Sequence, residues 1–253
     1  MNSEKSERLV SPYTKLGCIY DEVMSHVDYQ HWAKYIQKII RKWHPQTKRI
    51  LDISCGTASL LLMLDSKKYE LFGFDLSYDM LKVAQQKFDT SKFPISLWQG
   101  NMISFRLRHS VDIVICLYDS INYLLNLVEW KKLFDCVYDV LCDSGLFIFD
   151  ICTEKNSKKH FNNYFEKKSG DYYQYIRESS YNKKDKIHRN RFVIYFDSEK
   201  ECFVELHRQQ IYLFREVENF IATTNFKLLN AFDGFTFNRG NENSLRIHFV
   251  LKK

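Results

Sequence analysis

The stretch Arg49-Ile50-Leu51-Asp52-Ile53-Ser54-Cys55-Gly56-Thr57 decides the fold. Arg49 to Ile53 reads as a short buried strand, Ser54 to Thr57 as a turn, and the apolar run Ala58–Leu64 as a helix. Gly56 has no Cβ, so the backbone there can come close to a ligand. The N–H groups at the start of the next helix can take a carboxylate. Leu71-Phe72-Gly73-Phe74-Asp75 follows as a second strand, and its Asp75 stands 23 residues after Asp52. A carboxylate at that place accepts hydrogen bonds from both hydroxyls of a ribose. An isolated Asp-x-x-x-Gly says little, because glycine turns and capping aspartates are common. Strand, turn, helix, strand and aspartate in succession say much more.

The same alternation continues along the chain. Ser77 caps a helix over Tyr78–Lys87, and Ile95–Trp98 is a third strand. Val111–Leu117 is nearly all apolar, as a strand buried on both faces should be. A helix over Trp130–Leu141 and the turn Asp143-Ser144-Gly145 lead into a fifth strand, Leu146–Ile151. This order predicts an α/β, Rossmann-like parallel sheet with helices on both faces. Upstream, Tyr13–Trp43 has helical spacing with a break at His26–Asp28, where Asp28 caps the second helix and Pro45 ends it. Residues 1–12 read as loosely held. After Cys152 the texture changes, and Tyr172–Tyr181, Lys186–Phe196 and Cys202–Leu213 alternate as antiparallel strands. A helix over Arg215–Thr224 and a strand over Leu245–Leu251 close the chain. The expected organisation is a helical lid over 1–45, a cofactor-binding core over 46–152, and a strand-rich substrate layer over 153–253 that completes the core sheet.

Composition narrows the function classes. The chain has 253 residues, enough for one elaborated α/β domain, and a formal net charge of +6. The basic excess lies in short runs such as Lys158-Lys159 and Lys183-Lys184. It forms no continuous stripe, so nucleic acid is not the expected partner. The strand His188-Arg189-Asn190-Arg191 with Phe192 and Tyr195 reads as an edge protected by charge. Seven cysteines are scattered with no C-x-x-C pair, which predicts reduced thiols in a cytoplasmic protein and no zinc site. The polar Met1–Val10 is no signal peptide, and no stretch approaches membrane-spanning length.

At this point the sequence resembles a known family. Ile50–Thr57 is similar to the first motif of the class I S-adenosylmethionine-dependent methyltransferases. Gly73-Phe74-Asp75-Leu76-Ser77-Tyr78-Asp79-Met80-Leu81 resembles their second, G-x-D-x-S-x-x-M-L. Tyr20-Asp21-Glu22-Val23-Met24, Asp119-Ser120-Ile121-Asn122-Tyr123-Leu124 and Glu205-Leu206-His207-Arg208-Gln209 sharpen the likeness to a small stand-alone bacterial subfamily, kin to the sugar N,N-dimethyltransferases. The resemblance runs from about Tyr13 to the C-terminus. It implies S-adenosylmethionine as cofactor, bound by Tyr13, Tyr20, Asp52, Ser54, Gly56, Asp75, Leu76, Met80, Asn101, Met102 and Leu117. Ala58 replaces the usual last glycine of the first motif, and its methyl is expected to narrow the approach to the cofactor. Asn101 replaces the usual aspartate before Met102, which weakens adenine recognition without removing it, since an amide carbonyl still accepts. Asp143-Ser144-Gly145 replaces a common Pro-Gly-Gly turn, a structural change.

The acceptor side is read from position and spacing. Asp119 follows the fourth strand, beside the place where the methyl group should point, with Asn122 and Tyr123 in the same loop. Glu205, His207 and Gln209 alternate on one strand and so share a face, either a solvent face or a substrate wall. The reading here is a wall of Asp119, Asn122, Tyr123, Glu205 and His207. His207 and Asp119 are the catalytic candidates, because an imidazole with a reference pKa near ~6.5 can take a proton from an amine or hydroxyl. The tyrosines suit a sulfonium, since a ring face attracts a cation. The expected reaction is direct methyl transfer to an N or O nucleophile, in which alignment supplies most of the acceleration. The expected acceptor is a small molecule, with an RNA or protein acceptor and a non-catalytic binding module as alternatives. A nicotinamide enzyme ranks low, since one glycine stands where G-x-G-x-x-G is needed.

Overall fold

The computed structural model describes residues 6–91 and 95–253. Strand β1 (Glu7–Val10), helix α1 (Leu16–Val23) and helix α2 (Tyr29–Trp43) come first. Asp28 caps α2 by accepting from His31 N at 2.8 Å, and the helix stops two residues before Pro45. The core then alternates β2 (Arg49–Asp52), α3 (Ser59–Leu62), β3 (Glu70–Asp75), α4 (Tyr78–Ser91), β4 (Ile95–Gln99), β5 (Val111–Cys116), α5 (Leu127–Val140) and β6 (Leu141–Cys152). A short helix α6 (Glu154–Asn156) and a wider turn (Ser157–Phe161) lead to β7 (Tyr164–Ser169), β8 (Tyr173–Asn182), β9 (Ile187–Phe196) and β10 (Cys202–Gln210). Helix α7 (Phe214–Ala222), β11 (Lys227–Asp233) and β12 (Arg246–Lys252) complete the chain.

Two sheets result. The larger has the order β11-β12-β6-β5-β2-β3-β4, parallel from β6 to β4, with β12 antiparallel to β6 and to β11. Its apolar strands bury both faces. In β5, Val114 and Cys116 join the core beneath α5 and α7 around Trp130, Phe134 and Phe220. Ile113 and Ile115 join the opposite core, with α2, α3 and α4, around Ile36, Ile39 and Leu61. This two-residue period is what a doubly covered strand requires. The smaller sheet, β1-β10-β9-β8-β7, is antiparallel except for β1 against β10. Helix α1 lies over it, with Leu16, Ile19 and Val23 against Tyr175, Phe192, Ile194 and Phe203.

Four expectations need correction. Within residues 1–12, Glu7–Val10 forms a parallel strand on β10, pinned by Glu7 to Arg191 at 2.8 Å, while residues 1–5 lie outside the described residues. Strand β7 escaped notice because its sequence is largely charged, as exposed edge strands tend to be. Strand β11 has a register shift between Leu228 and Asn230 that hides its alternation. Asp143-Ser144-Gly145 is a bulge within β6 and not a turn before it. Gly145 is required there, since a Cβ would lie 2.9 Å from the Asp112 carbonyl oxygen.

Candidate active site

The order of the large sheet reverses at β2, which has β3 on one side and β5 on the other. Loops leaving β2 and β5 therefore diverge and open a crevice beyond the strand ends. A cavity of about 740 Å³ occupies it. Asp52 and Ser54 from the end of β2 line it, with Asp75, Leu76 and Met80 from the end of β3 and the start of α4. Asn101 and Met102 after β4, Leu117 after β5, and Tyr13 and Tyr20 from the N-terminal segment close it.

Two carboxylates dominate its electrostatics. The Asp75 oxygens accept from Gly56 N and Ser77 N, each at 2.9 Å. Burial raises its pKa, and these N–H groups oppose the rise. Asp52 accepts from Ser54 N at 3.1 Å, and burial, with the Asp75 charge adding, pushes its carboxyl up to about 7. Such a site favours a cationic ligand group, which would hold both carboxylates ionised. Gly56 does not line the cavity. At φ +55° it turns the chain so that its N–H reaches Asp75. Asn101 uses its carbonyl to accept from Ile103 N at 3.1 Å, which fixes the side chain against its own turn.

Ala58 lines no part of the cavity, so the expected narrowing does not occur. Its consequence is conformational, for Ala58 sits at φ 57°, in the left-handed region. That conformation costs an L-residue about 1–2 kcal/mol, partly offset by the greater unfolded-state freedom of glycine. Ala58→Gly should therefore stabilise the protein by about 0.5–1 kcal/mol, read as a higher urea midpoint. A lower midpoint would show that the Ala58 methyl contributes more to packing than its backbone costs.

A second cavity, of about 590 Å³, adjoins the first. Tyr13, Tyr20, Tyr118 and Tyr123 line both, forming a collar between the chambers. The Tyr13 ring meets Tyr20 edge-on at 5.8 Å and His207 at 4.8 Å. Burial holds the Tyr13 and Tyr123 hydroxyls well above the ordinary tyrosine pKa, so both stay protonated. From the collar a chain of hydrogen bonds runs inward. Tyr13 Oη lies 2.6 Å from Tyr123 Oη, Tyr123 Oη 2.8 Å from His207 Nδ1, and His207 Nε2 3.1 Å from Glu205 Oε2. Both Glu205 oxygens already accept backbone N–H groups, so Nε2–H donates to Glu205 and Nδ1 accepts from Tyr123.

The acceptor-side candidates separate. Asp119, Tyr123 and His207 line the second cavity. Glu205, expected on the wall, lies behind it, wholly buried, accepting from the backbone N–H groups of Tyr13, Lys15 and Leu16 at 2.7, 2.7 and 2.9 Å. Asn122 is likewise buried outside both cavities, donating to the Gln210 carbonyl and accepting from Cys152 N, and so joins the turn Ser120–Tyr123 to β6 and β10 rather than touching a ligand. Asp119, expected to be catalytic, has both oxygens engaged, by Arg246 Nη2 and Gln209 Nε2 at 2.6 Å each. It anchors its loop, in which Tyr118 and Asp119 both have positive φ. Arg246 also pairs with Asp150, and its guanidinium lies over Tyr118 at 5.1 Å and Trp32 at 5.4 Å. Arg177 and Arg246 were not singled out from sequence, since nothing in their local spacing marks them. His188, read as part of a charged edge, is buried and lines the second cavity, because β9 lies between β10 and β8 and is not an edge. Elsewhere, ligand atoms of His44, Asp112 and Cys142 come within 4.8 Å of one another, but Asp112 serves Lys48 N and Arg49 N there.

A crevice at the switch point of a parallel sheet, with a carboxylate at the end of each of its first two strands, is the ligand-binding place of a Rossmann-like fold. Residues 50–145 match the methyltransferase domain family. The chain is 30% identical over 245 residues to a protein of Geobacillus sp. (strain WCH70) that is classed as a methyltransferase, covering 95% of this chain and 99% of that protein. Its fold matches an S-adenosylmethionine-dependent methyltransferase from Clostridium acetobutylicum ATCC 824 with a TM-score of 0.81 at 24% identity, over 94% of this chain and 97% of that one. It also matches S-adenosylmethionine-bound CalS10, an amino pentose methyltransferase from Micromonospora echinaspora, with a TM-score of 0.69 at 17% identity, over 92% and 96% of the two chains. The chain belongs to the class I S-adenosylmethionine-dependent methyltransferases, and S-adenosylmethionine is its cofactor. Among the described residues no helix is long and apolar enough to cross a membrane.

Proposed function

We propose that this enzyme methylates a nitrogen or oxygen nucleophile of a small molecule held in the second cavity. The observation that carries this reading is the shared collar, through which the two chambers meet at four tyrosines. A second chamber of about 590 Å³ is the size of a small-molecule site. The amino pentose activity of CalS10 agrees with such an acceptor. Residues 1–45 then act as lid, 46–152 as cofactor core and 153–253 as acceptor layer. A cytoplasmic setting fits cysteines that no disulfide joins.

Asp75 would hold the ribose hydroxyls, Asn101 and Met102 the adenine, and Asp52 with Ser54 the charged methionine end. Leu76, Met80 and Leu117 would supply the apolar contacts. The cofactor supplies an electrophilic methyl group on a sulfonium. Tyr13 and Tyr20 present aromatic surface to that cation and exclude water from the junction. The remaining need is a base. A proton leaving the nucleophile passes to Tyr123 Oη as Tyr123 gives its own to His207 Nδ1, and the resulting imidazolium rests against the Glu205 carboxylate. This arrangement of orienting carboxylate, imidazole base and hydroxyl follows the logic of catalytic triads.

Two measurements test the reading. The first incubates the enzyme with methyl-labelled S-adenosylmethionine and either a deproteinised small-molecule extract or the macromolecular fraction. Label should enter small molecules, and label confined to RNA or protein would overturn the acceptor class. The second is His207→Ala, which should lower turnover by about 10²–10⁴-fold, the usual worth of a positioned base. Cofactor affinity should stay unchanged, because His207 does not line the first cavity. An unchanged rate at every pH would remove His207 from the mechanism.

A further inference from the structure

The second cavity contains an unmatched cation. Lys168 is paired with Glu166 at 2.8 Å, and Arg246 with Asp119 at 2.6 Å and with Asp150. Arg177 on β8 lines the same cavity and has no carboxylate partner among the described residues. Its guanidinium is held in place nonetheless. Nε donates to Ser179 Oγ and Asn190 Oδ1, each at 3.1 Å, and Nη2 donates to Asn190 Oδ1 at 2.9 Å. Phe161, Phe192 and Tyr164 surround it, with ring centroids 5.1, 5.4 and 5.6 Å away. Nη1 has no hydrogen-bond partner among the described residues.

An arginine that only braced the sheet would be expected to meet a carboxylate or to carry its charge out to water. Here a nearly enclosed amide and hydroxyl orient the fork while three rings shield part of a half-buried side chain. Neutral partners take up its Nε and Nη2 N–H groups without neutralising it. Its field reaches the collar: burial raises the pKa of the Tyr123 hydroxyl, and the Arg177 charge works against that rise. A rigid, partly desolvated guanidinium with one edge unused is matched to a planar or tetrahedral oxyanion.

We propose that the methyl acceptor carries an oxyanion, a phosphate or a carboxylate, and that Arg177 binds it. The inference rests on the reading that the acceptor occupies the second cavity. It gives that cavity a polarity, with the oxyanion at Arg177 and the nucleophile at the collar beside Tyr123.

The test has a binding arm and a transfer arm. Inorganic phosphate, inorganic pyrophosphate and acetate are titrated into the cofactor-loaded enzyme by calorimetry. Wild type should bind at least one saturably, and Arg177→Gln should bind it about tenfold or more weakly, a loss of one charge-assisted contact. Arg177→Lys, which keeps charge but not the fork, should fall between. Arg106→Gln, which removes an equal charge from an exposed pair with Asp139, should match wild type. Cofactor affinity within about twofold of wild type shows that the Arg177 variants are folded. The anion that binds more tightly separates phosphate from carboxylate. No saturable binding, or equal binding by wild type and Arg177→Gln, overturns the proposal. In the transfer arm, labelled products from the small-molecule extract are passed over an anion exchanger, where they should be retained. Labelled small molecules that flow through overturn the oxyanion and leave the small-molecule acceptor standing. Label found only in macromolecules overturns both.

Discussion

Replacing Asp75 with alanine should reduce S-adenosylmethionine affinity by about 10²–10⁴-fold. The size follows from two hydrogen bonds between ribose hydroxyls and a carboxylate, each worth roughly 1.5–3 kcal/mol. The structure adds a second route to the same loss. Asp75 also accepts from Gly56 N and Ser77 N, and so ties the turn after β2 to the end of β3. Its removal leaves both N–H groups without that partner and loosens the floor of the cavity. Asp75→Asn separates the two routes, because its carbonyl keeps one backbone contact while the charge is gone. An intermediate loss is expected for it. Calorimetric titration of the cofactor into each variant measures the effect, with thermal melts to show that the chain is folded. Affinity within about threefold of wild type in Asp75→Ala would mean that the ribose is held elsewhere.

The fold was legible where burial is complete. A strand covered on both faces must be almost wholly apolar, and Val111–Cys116 and Leu146–Ile151 meet that demand but for one paired aspartate each, Asp112 and Asp150, so the centre of the sheet could be read directly. Edges are a different matter. β7 and β11 each have one neighbour, and charge or a bulge blurs the two-residue pattern. The first cavity was legible for a related reason, since the strand-end aspartates and the loops that follow them are close in sequence to the elements that place them. The acceptor side was legible only in part. Alternation correctly put Glu205, His207 and Gln209 on one face of β10, yet it could not say what covers that face. The cover is the Tyr13–Leu16 segment, nearly two hundred residues away in sequence. The pattern did contain a clue: on this strand the polar row is buried while Leu206 is 50% exposed, the reverse of an ordinary surface strand. Arg177 could not be found by spacing, because what distinguishes it is the carboxylate it lacks.

The last expected result concerns Glu205, which the structure makes both a structural and a chemical residue. Three backbone N–H groups of Tyr13, Lys15 and Leu16 converge on its carboxylate. Together they hold Tyr13 at φ 64°, a conformation that a tyrosine does not adopt without restraint. Glu205→Ala leaves those donors buried without an acceptor, at about 1–3 kcal/mol each, softened where the freed segment can reach water. A loss of about 3–5 kcal/mol of folding stability is expected, a large share of what a domain of this kind possesses. Release of Tyr13 should also open the collar, so cofactor affinity falls along with turnover. Glu205→Gln gives a different outcome. The amide keeps the volume and one acceptor oxygen, so most of the fold and the cofactor affinity should survive. It cannot, however, stabilise an imidazolium at His207. Turnover on an acceptor that must lose a proton should then fall by about 10²–10⁴-fold, with the acid limb of the pH–rate profile altered. The alanine variant is read by urea denaturation and the glutamine variant by steady-state rates across pH. A glutamine variant as active as wild type, in a protein that the alanine variant still destabilises, would leave Glu205 its structural role and end its place in the proton relay.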